Sequence, residues 1–114
     1  MTRLLVVLTA VLFVGCGSGS EEAGVVRGTL REVGGPPPGM DRPVVGTVTL
    51  TRSNGVRIRV KTADGRFRVK VAPGTYRLQG TSPLFNSGES TCTGARVLVG
   101  ANRITQADVT CAIP

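Results

Sequence analysis

Thr62-Ala63-Asp64-Gly65-Arg66-Phe67-Arg68-Val69, followed by Ala72-Pro73-Gly74-Thr75-Tyr76-Arg77-Leu78, is the stretch whose reading decides the fold. Asp-Gly is a favoured centre for a two-residue hairpin turn, because such turns need positive φ at their central residues. After it, Phe67 and Val69 alternate with Arg66, Arg68 and Lys70, the period of two that separates the faces of a strand. Pro73-Gly74 then supplies a second turn, and Tyr76 returns the chain to the apolar side.

The same pattern extends in both directions from this segment. Alternation broken by turn residues every eight to twelve positions predicts strands near 25–31, 43–52, 56–62, 66–71, 75–81, 95–99 and 103–112. Gly34-Gly35-Pro36-Pro37-Pro38-Gly39 must be a loop, since consecutive prolines cannot donate to a ladder, and Ser53-Asn54-Gly55 reads as a hairpin turn. By parity, Val44, Val48 and Leu50 share one face, as do Val56, Ile58 and Val60, then Phe67, Val69 and Val71. These are the expected core. No helical stripe interrupts the pattern, so the expectation is an all-β chain folded as a single seven-stranded antiparallel sandwich of immunoglobulin-like or prealbumin-like type.

The N-terminus has a different character. Arg3 supplies a positive charge, Leu4 to Val14 form an apolar run, and Phe13-Val14-Gly15-Cys16 ends it with small residues beside a cysteine. This is the outline of a secretory signal peptide, too short for a bilayer core that needs about 20 apolar residues. The closing tetrapeptide resembles the bacterial lipobox. That resemblance implies cleavage after Gly15, acylation of Cys16 with palmitate-type chains, and residence on the extracytoplasmic side of a bacterial cell membrane. Residues 1–15 are then a lipoprotein signal peptide, 16–24 a flexible Gly/Ser/Glu tether, and 25–114 one β-sandwich domain. Eight such tether residues hold a domain roughly 15 Å from its anchor. In an oxidising compartment Cys92 and Cys111 are expected to pair, which leaves Cys16 for lipid and accounts for the odd cysteine count.

Composition excludes several chemistries. There is no His and no Trp, which removes His-based acid/base catalysis, His metal sites and Trp-lined sugar platforms. The acids Asp41, Asp64, Glu89 and Asp108 are scattered singly, serines lack a His partner, and no run clusters oxygens as a calcium loop would. The expectation is therefore a non-enzymatic protein with no cofactor and no metal.

The Asp64-Gly65/Phe67 and Pro73-Gly74/Tyr76 motifs, with Val26-Arg27-Gly28 and Pro43-Val44-Val45-Gly46-Thr47-Val48 upstream, resemble the carboxypeptidase regulatory-like domain family. The resemblance implies a transthyretin-like (prealbumin-like) sandwich serving as an accessory or binding module. It covers nearly the whole domain. The motifs answer backbone and packing demands, so they bear on fold and assign no ligand.

Charge marks the first candidate site. The chain carries 14 Lys and Arg against 7 Asp and Glu, and residues 52–71 hold Arg52, Arg57, Arg59, Lys61, Arg66, Arg68 and Lys70 against Asp64 alone. Parity places Arg57, Arg59, Lys61, Arg66, Arg68 and Lys70 outward, as six cations on one face of a single hairpin. Such a face suits anionic lipid or an anionic envelope polymer, and it also suits a solvated edge that resists aggregation. Nucleic acid is not expected, because the compartment is wrong and the basic face lacks aromatics. The second candidate is the 81–91 loop, where Leu84, Phe85 and Asn86 stand in a place that polar turn residues would fill; it would serve an envelope protein partner, or Phe85 would tuck under the sandwich rim. The function expected is thus a membrane-anchored binding or structural accessory, docking anionic envelope material through the basic face. The alternative is a protein-interaction module using the 81–91 loop or an edge strand.

Overall fold

The computed structural model describes residues 22–114 and is all-β and sandwich-like. In chain order the strands are β1 (Gly24–Gly34), β2 (Met40–Pro43), β3 (Thr47–Arg52), β4 (Arg57–Lys61), β5 (Arg66–Val71), β6 (Gly74–Thr81), β7 (Cys92–Val99), β8 (Ile104–Gln106) and β9 (Val109–Ile113). The signal segment 1–15 and Cys16 lie outside the described residues.

The expectation of seven antiparallel strands is corrected to a 9-stranded mixed sheet. Its main path runs β2-β1-β9-β7-β6-β3-β4, with β5 and β8 also paired to β1. The seam is β1. Its first half pairs with β5 (antiparallel) and β8 (parallel), and its second half with β9 (parallel) and β2 (antiparallel). Val25 faces Ile104 and Leu30 faces Val109, so β8 and β9 keep one register along β1. They are one C-terminal run interrupted at Ala107 and Asp108. At the break, Asp108 Oδ1 accepts from the Thr29 backbone N–H at 2.9 Å and from its hydroxyl at 3.1 Å. A side chain at position 28 would overlap the Ala107 carbonyl oxygen, so the close approach requires Gly28. That interruption adds one strand to the expected seven. The other is β2, whose four residues are all exposed along the end of β1, so no apolar alternation announces it.

The Asp64-Gly65 turn is present, with φ of 54° and 78°, and Ala63 and Arg66 exchange backbone hydrogen bonds at 2.8 and 2.9 Å. The expected hairpin ends there. The Thr62 N–H donates to Gly46 O at 2.9 Å, and Gly65 O accepts from Leu30 N–H at 2.7 Å, so the strands on either side are claimed by different neighbours. β4 pairs with β3, and β5 pairs with β1. Each is an edge of its own layer.

Val26, Phe67 and Val71 of the smaller layer close over Val48, Leu50, Tyr76, Leu78 and Val99 of the larger one. Tyr76 is buried and its hydroxyl donates to Ala72 O at 2.6 Å, which ties the Pro73-Gly74 turn to the core. Val56 departs from expectation: it lies in the turn before β4 and is half exposed. Between β7 and β9, Thr110 faces Thr93, and the next pair sets Cys111 opposite Cys92 at a Cα separation of 4.3 Å. The expected disulfide is present and fully buried. Among the described residues every core residue lies between Val26 and Cys111, so a chain from Gly17 onward contains that core.

Candidate anion-binding surface

The six predicted cations do not share one face. Arg57, Arg59 and Lys61 lie on β4, at the edge of the larger layer, where Thr51, Thr49 and Thr47 of β3 stand beside them. Arg66, Arg68 and Lys70 lie on β5, at the edge of the smaller layer, beside Thr29, Arg27 and Val25 of β1. With Ile58 and Val60 turned inward on β4, and Phe67 and Val71 on β5, Arg57 and Arg59 lie on the outer face of one layer and Arg66, Arg68 and Lys70 on that of the other, while Lys61, at the end of β4, borders the cleft that Arg66 and Arg68 line. The correction follows from the neighbours that β3 and β1 supply, which local alternation cannot reveal.

The larger layer gathers a different set. Thr51 of β3 pairs with Arg57 of β4 on one side and Arg77 of β6 on the other, and Arg77 pairs with Arg96 of β7. Arg57, Thr51, Arg77 and Arg96 therefore form one cross-strand row. Together with Arg52, Thr75 and Gln79 they line a cleft of about 540 Å³. Arg52 is anchored, its Nη2 donating to Pro73 O at 2.5 Å. Among the described residues no carboxylate lines this cleft. Among the described residues the ion pairs are Arg31–Asp41 at 2.6 Å and Arg42–Glu32 at 2.9 Å, and neither involves the row. Like charges directly opposite on paired strands are destabilising, and Arg77 faces Arg96. Guanidinium groups present planar donor pairs that match phosphate or carboxylate oxygens, so an anion seated here would relieve the repulsion.

Sequence reasoning missed Arg77 and Arg96. Only the strand order β4-β3-β6-β7 sets Arg77 beside Arg96 and in line with Arg57 across Thr51. A second basic cleft, of about 650 Å³, lies on the smaller layer and is lined by Arg27, Lys61, Arg66 and Arg68 among others. Here Asp108 is near, held by Thr29.

The 81–91 loop carries Leu84 exposed, while Phe85 is partly buried against the core, as the rim alternative required. The loop is organised by Ser82, fully buried, whose Oγ accepts from the Leu84 N–H at 3.1 Å, and by Asn86 Nδ2 donating to Ser90 Oγ at 2.7 Å. Leu84, Phe85 and Asn86 border a cleft that also contains Glu32, a residue the sequence reading passed over. Glu32 is buried on the inward face of β1, and Arg42 donates to its Oε1 through Nε at 3.1 Å and Nη2 at 2.9 Å.

Among the described residues no group of His, Cys, Asp or Glu is clustered to hold a metal ion, and no helix is long and apolar enough to cross a membrane. In comparison with known proteins, the chain matches no protein-family model and no curated sequence.

Proposed function

We propose that this protein is a lipid-anchored, non-enzymatic binding module of the bacterial envelope, which holds anionic material on the outer face of its larger β-layer. The lipobox-like Val14-Gly15-Cys16 ending supports the anchor, and the paired turn motifs support a prealbumin-like relationship for the domain. The observation that carries the binding reading is the Arg57–Thr51–Arg77–Arg96 row. Edge protection explains cations on β4 and β5. It does not explain Arg77, which sits between hydrogen-bonded neighbours on both sides.

The test uses the chain from Gly17 onward with polyphosphate and with phosphatidylglycerol vesicles. Basic residues at an anionic surface contribute about 1 kcal/mol each, so Arg57→Glu/Arg77→Glu/Arg96→Glu should weaken binding by at least roughly 100-fold at low salt. Arg27→Glu/Arg66→Glu/Arg68→Glu on the other layer, an equal change of charge, should cost much less. Equal loss from both sets would show that only total charge matters and would reject the row as a site. A second reading, a protein-interaction module, is favoured by the cleft where exposed Leu84 stands beside buried Glu32. A protein partner retained at high salt and lost on Leu84→Asp would support it.

A further inference from the structure

We infer that the end of the sandwich where the tether enters is a membrane-contact surface, with Leu98, Ile104 and Val56 seated at the headgroup boundary of an anionic bilayer and Lys70, Arg96 and Arg103 on its phosphates. The inference rests on the proposed anchoring and anion binding, and it names the bilayer itself as the partner.

The chain joins the domain at Gly24, which packs against Val99 and the Gly100 carbonyl. The neighbouring turn is tied to the same point, because the Asn102 N–H donates to Ala23 O at 3.0 Å and the Val25 N–H to Arg103 O at 2.8 Å. Leu98 faces Thr75, and Thr75 O accepts from the Ser53 N–H at 3.2 Å, so the turn before Val56 lies at this end as well. Ile104 faces Val25, which faces Lys70. Leu98 is 75% exposed, Ile104 56% and Val56 52%, and each comes from a different segment. Surface apolar residues scattered singly need no explanation, whereas these three stand at the one end where the chain enters the domain, with Arg96, Arg103 and Lys70 at the same end.

The opposite end also exposes apolar side chains, Met40, Val45 and Leu84. Charge separates the two. Glu32, Asp41, Asp64 and Glu89 belong to the far end, as do both ion pairs. The tether end carries Lys70, Arg96 and Arg103, and among the described residues its single carboxylate is Glu22, on the approach to Gly24. The row of Arg57, Arg77 and Arg96 lies one step inward from Leu98 on the same face, since Arg96 and Leu98 are alternate residues of β7. A bilayer surface presents that order of chemistry, apolar boundary first and phosphate next, and interfacial segments seat apolar groups about 5–10 Å into that boundary. With only six residues between the proposed anchor at Cys16 and Ala23, this is the end that the anchor holds over the lipid.

The chain has no Trp, so single tryptophans report cleanly. Leu98→Trp, Ile104→Trp and, as a far-end control, Leu84→Trp are introduced at exposed sites of the full chain. Each is reconstituted in phosphatidylcholine vesicles with and without phosphatidylglycerol. Tryptophan at 98 and 104 should blue-shift and be quenched by brominated acyl chains when phosphatidylglycerol is present, and Lys70→Glu/Arg103→Glu should reduce that quenching at least severalfold. Tryptophan at 84 should stay in water. Protection at 84 as well, protection of none of the three, or equal protection without phosphatidylglycerol would overturn the inference. Polyphosphate binding by the arginine row, measured separately, shows whether the anion-binding reading stands when the membrane orientation fails.

Discussion

Replacing both Cys92 and Cys111 with Ala gives the sharpest test of the folded architecture. The bridge joins directly opposed residues of neighbouring strands, and 19 positions separate them in sequence. Chain-entropy arguments assign a loop of that size about 3 kcal/mol of stabilisation, acting through the unfolded state. Alanine is the right replacement, because both positions are buried and serine would leave hydroxyls in the core. For a domain of this size each kcal/mol corresponds to roughly 4–8 °C, so the melting temperature should fall by about 12–24 °C. Circular dichroism melts of the chain from Gly17 onward, with and without reductant, provide the assay. Reduced wild type should melt close to the alanine variant. A shift below about 5 °C would refute the entropic argument, and two reactive thiols in unreduced, denatured protein would refute the bridge itself.

Arg42→Ala should destabilise the domain by about 1–2 kcal/mol, less than a fully buried pair would lose because Arg42 is itself largely exposed. Adding Glu32→Gln to that variant should restore part of the loss, as read from urea midpoints. Cys16→Ser should move the protein from the detergent to the aqueous phase and remove the acyl mass from the mature N-terminus; a variant still in the detergent phase would reject lipid anchoring.

Much of the domain's local structure was legible in the sequence, because local structure is what alternation and turn chemistry encode. Asp64-Gly65 specified its own turn, Phe67 and Tyr76 were placed inward, and export context paired the cysteines. What alternation does not encode is which strand lies beside which. The turn at Asp64-Gly65 suggested that β4 and β5 pair, whereas Gly46 claims one strand and Thr29 and Leu30 claim the other. Arg77 had no neighbour visible in the sequence. β2 was missed because an edge strand exposed on all four residues carries no period, and Glu32 because a carboxylate at an inward position reads as a break in the apolar pattern until Arg42 is seen opposite it.

The two sets of cations thus answer different physical demands. On β4 and β5 they line open edges, where charge also discourages pairing with a second chain. On β6 and β7 the edge argument has no purchase at Arg77. Directly opposed like charges cost up to roughly 1 kcal/mol per pair relative to neutral neighbours, and threonine or glutamine, already present as Thr49, Thr51 and Gln79 on the same face, would fill the position without that cost. A surface that concentrates guanidinium groups where neutral side chains would suffice is what the proposed binding of an external counter-charge requires. Under the proposed anchoring, the row's place one step from the tether end makes the bilayer the nearest source of it.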